Sequence, residues 1–345
     1  MKSGLFSSIK NYSYANARIR ARRGNLITDQ EYRKLGKMEL AEIAEFMGNR
    51  GYGPEIEEMG DAYEGEDLIE RAVRRNFSRT YQELMEIAPG PIQELLSIYS
   101  HKFDIENVKT VLRKVMRDPE NDISEMVVPT TEIGRKDLER LADMGSPEEV
   151  MKEFEISDFD GDITDKIEDF SELGEIEDAL DIYYYTHMVE KVDDIGGKSE
   201  LFRKFLELEA GLKNISLVLR MKKRGYDYGD IVDRLIPVPA RHELLESEEL
   251  ASLSYEEILE KLKESPAGDF IEEETSAEIQ QALERYKLKQ GIRLMHEDQL
   301  GLNPVLGYMV CKEVEAKNLR TIARAKAEGL GEEFIDRNLV KGVAS

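Results

Sequence analysis

The run DFDGDITDKIED, Asp158 to Asp169, sets carboxylates at positions 1, 3, 5 and 12, the spacing with which a calcium loop gathers oxygen ligands. Two residues argue against that chemistry. Ile163 occupies position 6, where the sharp turn needs Gly, and Asp169 occupies position 12, where a longer Glu binds through both oxygens. The stretch reads better as a solvated acidic linker. EEVMKEFE (Glu148 to Glu155) and EDFSELGEIED (Glu168 to Asp178) offer more carboxylates, but neither has the DDxxD spacing that holds a metal-bound diphosphate, and both read as solvated helix faces. His101, His187, His242 and His296 are scattered. The chain has no HExxH, no Cys/His metal spacing, no GxxxxGK[ST] loop and no GxGxxG after a strand. The expectation is therefore no catalytic residue, no metal ligand and no cofactor.

Arg71, Arg74, Arg75 and Arg79 recur at helical spacing and form a basic stripe that could face nucleic acid. It lacks the interleaved aromatics that stack on bases. The charge of the whole chain points the same way. Residues 1–117 hold 19 Lys/Arg against 18 Asp/Glu, which leaves 29 against 54 for the other 228 residues, within a net charge of −24. A surface of that sign repels phosphate backbones and anionic lipid. The expected partners are proteins, not nucleic acid, and the stripe is expected to meet an acidic protein surface or an acidic sister domain.

The elements that carry these residues read as helices. Apolar residues recur three and four apart over 12 to 25 positions, and period-two alternation is scarce. Thr28–Glu31, Ser146–Glu149, Ser254–Glu257 and Thr275–Glu278 have the capping-box form. Gly24, Gly225 and Gly329 follow basic turns, as left-handed C-terminal caps do. The fold class expected is all-α, with a real core, since 41% of 345 residues are hydrophobic. The longest apolar runs, such as LNPVLGYMVC, are about half of what a spanning helix needs, so direct membrane insertion is not expected. A single cysteine, Cys311, and the absence of a signal-like run in KSGLFSSIKNY point to the cytosol.

One motif recurs. Asn is followed six residues later by Arg in Asn16/Arg22, Asn107/Arg113, Asn214/Arg220 and Asn318/Arg324. A second landmark supports it, because the Ala of IERAV (Ile69 to Val73), IEDAL (Ile176 to Leu180) and IQQAL (Ile279 to Leu283) lies 35, 35 and 36 residues before Asn107, Asn214 and Asn318. LADMGSPEEV (Leu141 to Val150) also matches LASLSYEEI (Leu250 to Ile258), each after a proline-containing turn, VVPTTE or LIPVPA. The period, about 105 residues, is far longer than a TPR or HEAT unit, so each repeat is a small multi-helix domain. The expected division is 1–98, 99–203 and 204–345, the last including the C-terminal helices. Val310, Val314, Asn318 and Ile322 share a helix face, as do Ala210, Asn214, Val218 and Phe103, Asn107, Val111. An Asn in an apolar stripe must find partners, and pinning the end of a neighbouring helix is the expected use. The first copy departs, with Arg20 in the place of the apolar residue.

Three segments resemble a known family: NPVLGYMVCKEVEAKNLRTIARAKAEGLGEEFIDRNLV (Asn303 to Val340), YSYANARIRARRGNLITDQEYRKL (Tyr12 to Leu35) and KFLELEAGLKNISLVLRMKKRGYD (Lys204 to Asp227). They look like the C subunits of the archaeal and bacterial V-type (A-type) ATP synthases, relatives of the d subunits of eukaryotic V-ATPases. The resemblance implies three similar helical domains closed into a funnel around a pseudo-threefold axis. It implies a non-catalytic central-stalk component on the cytoplasmic face of the membrane. Such a component links the D and F subunits of the central shaft to the membrane proteolipid ring, and through them the catalytic A and B subunits, in ATP synthesis coupled to H+ or Na+ transport. The alternatives are a soluble helical-repeat adaptor with unrelated partners and, third, a helical enzyme.

Overall fold

The computed structural model describes residues 14–88, 90–117, 123, 128, 134–155, 172–195, 200–239, 244–271, 275–297 and 303–342. They are predominantly helical, with no strand among them. The chain divides into two compact units, Met1–Glu94 with Glu284–Ser345, and Leu95–Leu283.

The first unit begins with α1 (14–23) and continues through α2 (Asp29–Leu35), α3 (Leu40–Met47), a π turn (Gly48–Tyr52), α4 (Gly53–Met59) and α5 (Gly65–Ile87). Its C-terminal part holds the end of α14 (Ser276–Glu297), then α15 (Asn303–Ala327) and α16 (Glu332–Asn338). The principal pairing is α5 on α15. On α5 the buried Leu68, Ile69, Ala72, Val73, Phe77, Tyr81 and Leu84 fall three and four apart and make one apolar face. Almost every side chain of α15 from Asn303 to Ala316 is buried, so this helix forms the centre of the unit and not its rim. Glycine sets one spacing there: a Cβ on Gly291 would lie 2.6 Å from Val310 Cγ1, inside van der Waals contact.

The second unit takes in most of α6 (Gly90–Arg117), then α7 (Arg135–Ala142), α8 (Pro147–Glu155), α9 (Leu173–Ile195), α10 (Glu200–Arg224), α11 (Tyr228–Val232), α12 (Ser247–Ser252), α13 (Tyr255–Glu264) and the start of α14. Helix α10 is buried on nearly all sides and packs against α9, α12 and α13. Tyr99 packs edge-on against Phe103 and Phe202.

The starts and stops follow the local chemistry. Thr28 and Ser254 complete capping boxes with Glu31 and Glu257, and Ser146 and Thr275 accept from the amides of Glu149 and Glu278. Gly225 and Gly329 have φ of 82° and 70°, the left-handed cap. Gly24 departs from expectation and is not left-handed. There the chain leaves α1 through a tight turn, with Asn25 and Leu26 donating to the carbonyls of Arg22 and Arg23, which satisfies the helix end without a positive φ. The acidic run 158–169 and most of the turn 127–132 lie outside the described residues.

Candidate functional site

Asn107, Asn214 and Asn318 of the repeat each make a two-point clamp. Asn107 donates to the Val128 carbonyl at 2.7 Å and accepts from the Val128 amide at 2.8 Å. Asn214 does the same to Ile236, 2.9 Å each way, and Asn318 to Val340, at 2.7 and 2.9 Å. The partner lies 21, 22 and 22 residues downstream. It is a residue outside the helices, not the helix end that an amide in an apolar stripe predicts. The geometry has a simple cause. In an extended residue the N–H and C=O point to the same side, so one carboxamide can imitate the backbone pair of an antiparallel ladder. Val128 and Ile236 each precede a proline, which biases them to that conformation. Val340 is followed by Lys341 and is held by the same two bonds.

The apolar stripes are largely as expected. Val310, Val314, Asn318 and Ile322 are buried, as are Ala210, Asn214 and Val218, whereas Phe103 is only half-buried beside Asn107 and Val111. Asn16 is buried too, while Arg20 on the same helix is exposed. Asn214 makes one further bond, to Ser247 Oγ at 2.7 Å.

The paired arginines tie helices together. Arg22 donates to Glu83 at 2.5 Å and Arg113 to Glu177 at 2.7 Å. Arg220 reaches Asp178 at 3.1 Å, and Arg324 reaches Glu70. Glu70 belongs to IERAV, and Glu177 and Asp178 to IEDAL, so three of the four arginines meet the Ala landmark itself, and Arg22 meets Glu83 further along the IERAV helix.

All four members of the basic stripe find partners in their own unit. The Arg71 guanidinium lies over the Tyr63 ring, 4.0 Å from its centre. Arg74 faces Glu70 at 3.7 Å, and burial together with Arg320 brings its guanidinium down to about 10. Arg75 binds Glu58 at 2.6 Å. Arg79 spans the buried Glu55, Glu83 and the Gly51 carbonyl, so it holds α4 and the π turn to α5.

Two buried charge clusters go beyond what the sequence predicts. In the first unit, Glu315 accepts from Lys312 at 2.6 Å, from the Tyr52 hydroxyl at 2.7 Å and from the Ile27 amide at 2.7 Å. Lys312 also donates to the Tyr52 hydroxyl at 3.0 Å. Glu315 is 1% exposed, and burial beside this carboxylate pushes the Tyr52 phenol well up. In the second unit, Asp181 takes Lys109 at 2.6 Å and Lys213 at 2.7 Å. Burial alone would raise the Asp181 carboxyl, but Lys213 and Lys109 outweigh it and hold it below the usual range. Lys312, Glu315 and Asn318 are three apart on one helix face, a polar step within an apolar stripe that could have been read from the sequence. Asp181 had no such signal, because its partners come from other helices.

Cys311 is buried, and burial pushes its thiol up to about 12. Among the described residues no three His, Cys, Asp or Glu side chains gather as a metal centre, and no helix is long and apolar enough to cross a membrane. The arrangement positions backbone and helices, and the chemistry it performs is recognition within the fold.

Comparison with known proteins identifies the chain. It is 31% identical over 341 residues to the C subunit of the A-type ATP synthase of Methanococcoides burtonii, an alignment that covers 96% of this chain and 95% of the relative. It is 32% identical to the corresponding C subunits of Haloferax volcanii, over 96% and 97%, and Methanosarcina barkeri, over 96% and 93%. The model of the ATP synthase (C/AC39) subunit family matches residues 15–338. With that span matched, the chain belongs to the ATP synthase (C/AC39) subunit family.

Proposed function

We propose that this protein is the non-catalytic central-stalk component of an A-type ATP synthase, peripheral to the cytoplasmic face of the membrane. In this reading it links the D and F shaft to the proteolipid ring and transmits rotation between ion transport and ATP synthesis. The observation that carries it is the family match over residues 15–338, together with relatives of similar length named as the C subunits of A-type ATP synthases. The helical scaffold supports it, because tied helices transmit torque with little loss. The three repeat domains 1–98, 99–203 and 204–345, closed as a funnel, belong to the same reading. The stripe enters it as a contact surface through Arg75 and Arg79, the two guanidiniums that stay 45% and 38% exposed.

The test is to tag the chain in its native host, solubilise membranes gently and identify what co-purifies by mass spectrometry. Recovery with the shaft proteins and proteolipid in a complex that hydrolyses ATP is the expected result. Recovery alone, or with unrelated soluble proteins, would overturn the proposal. Arg75→Glu with Arg79→Glu is expected to weaken recovery of the shaft or the ring, and undiminished recovery of both would remove the stripe from the interface.

A further inference from the structure

A hairpin near the N-terminus stands beside Asn318 in the way that α12 and α13 stand beside Asn214. The sequences LGKMELAEI (Leu35 to Ile43) and LASLSYEEI (Leu250 to Ile258) align without a gap, with Leu35 on Leu250, Met38 on Leu253, Glu42 on Glu257 and Ile43 on Ile258. In that register α2 corresponds to α12 and α3 to α13. The structure repeats the match in detail. Glu39 and Ser254 are the N-caps of α3 and α13, and each donates its amide to the Glu three residues on, at 2.8 Å in both. Leu35, Leu250, Ile43 and Ile258 are all fully buried.

The seats correspond as well. Helix α3 packs on α15 and, more extensively, on α5, and α13 packs on α10. Ser247 accepts from the Asn214 amide, and the residue aligned with Ser247 is Tyr32. The Tyr32 phenol is buried, which pushes it well up, and it is close enough to Asn318 for that amide to act in the opposite direction. The contacts beside α10 are made by a segment a few dozen residues downstream. Those beside α15 are made by the other end of the sequence: the Ile27 amide on Glu315, and the Asp29 carboxylate accepting from the Gly342 amide at 3.0 Å.

We infer that residues 26–47 are a strap that completes the third repeat from the far end of the chain, and that Glu315 is the latch that holds it. The latch fits the role because one buried carboxylate gathers the strap (Ile27), the turn that follows it (Tyr52) and its own helix (Lys312). The segment is seated through these bonds and through the buried Ile27, Leu35, Ile43 and Met47, and such a unit can open as one group while α5 stays on α15. The strap is thus a conformational device of the fold, independent of what the protein binds.

Native-state hydrogen exchange on the full chain tests this. In the wild type, the amides of α2 and α3 are expected to exchange as one group, with at least tenfold less protection than α5 and α15. Glu315→Gln is expected to speed that group tenfold or more and to leave α12 and α13 unchanged. The inference is overturned if α2 and α3 share the protection of α5 and α15 at every denaturant concentration, or if Glu315→Gln speeds α12 and α13 equally. Should Glu315→Gln fail to fold, the wild-type comparison decides alone.

Discussion

Asn214 and Asn318 perform the same two-bond clamp with different surroundings. At the position three residues before Asn214 stands Gly211, and Leu244 lies 3.7 Å from where its Cβ would be. At the same position before Asn318 stands Glu315, ion-paired and buried. The chain lengths differ in the same sense: Asn214 to Ser247 spans 33 residues, Ile27 to Glu315 spans 288. Closing the longer loop costs on the order of 2 kcal/mol more by the logarithmic rule. Where the docking segment follows nearby, apolar contact and one neutral hydrogen bond, Asn214 to Ser247, suffice. Where it comes from the other end of the sequence, the fold adds directional, charge-assisted bonds, roughly twice as strong as neutral ones.

The largest expected break of this comparison is Glu315→Ala. It strands Lys312 as a buried unpaired charge and should cost about 3–5 kcal/mol in urea unfolding, whereas Lys312→Met with Glu315→Leu should cost less than either single change. A milder result for the single change than for the double would refute the latch as a paired charge. Next, Asn214→Ala and Asn318→Ala each leave a buried backbone N–H and C=O unmet, and should cost about 2–4 kcal/mol apiece. If Asn318→Ala is silent while Asn214→Ala is not, the two clamps are not equivalent.

The second unit's own buried pair gives a pH signature. Asp181 sits below its usual carboxylate range in the fold, so its contribution is present above about pH 4 and is lost as pH falls through the folded value. Asp181→Asn should therefore flatten the acid limb of the stability curve, and an unchanged acid limb would count against that assignment. The smallest effect runs the other way. Gly211→Ala meets Leu244 at ordinary contact distance and should stabilise α10 by about 0.5–1 kcal/mol, read as a rise in melting temperature.

Much of this was legible in the sequence. The helices announced themselves through apolar periodicity and capping boxes, and Asn107, Asn214 and Asn318 stood out because an amide in an apolar stripe is conspicuous. What they hold was not legible. The partner sits 21 or 22 residues downstream in a segment without periodicity, and only the prolines after Val128 and Ile236 marked it. The stripe Arg71 to Arg79 was expected to meet another protein or a sister domain, because spacing shows which residues share a side but not that carboxylates of the same unit meet them. Lys109, Asp181 and Lys213 come together from three helices, which no local pattern encodes. The match of α2 and α3 to α12 and α13 was present in the letters, yet it gains meaning only when the structure seats the hairpin on α15.

The buried Cys311 has a practical consequence. The chain's one thiol stays protonated and enclosed at neutral pH, so alkylating and oxidising reagents find nothing to attack in the folded protein. A cysteine introduced at any exposed position then becomes a unique chemical address, and a fluorophore or spin label can report from the native background without first erasing the residue nature placed there.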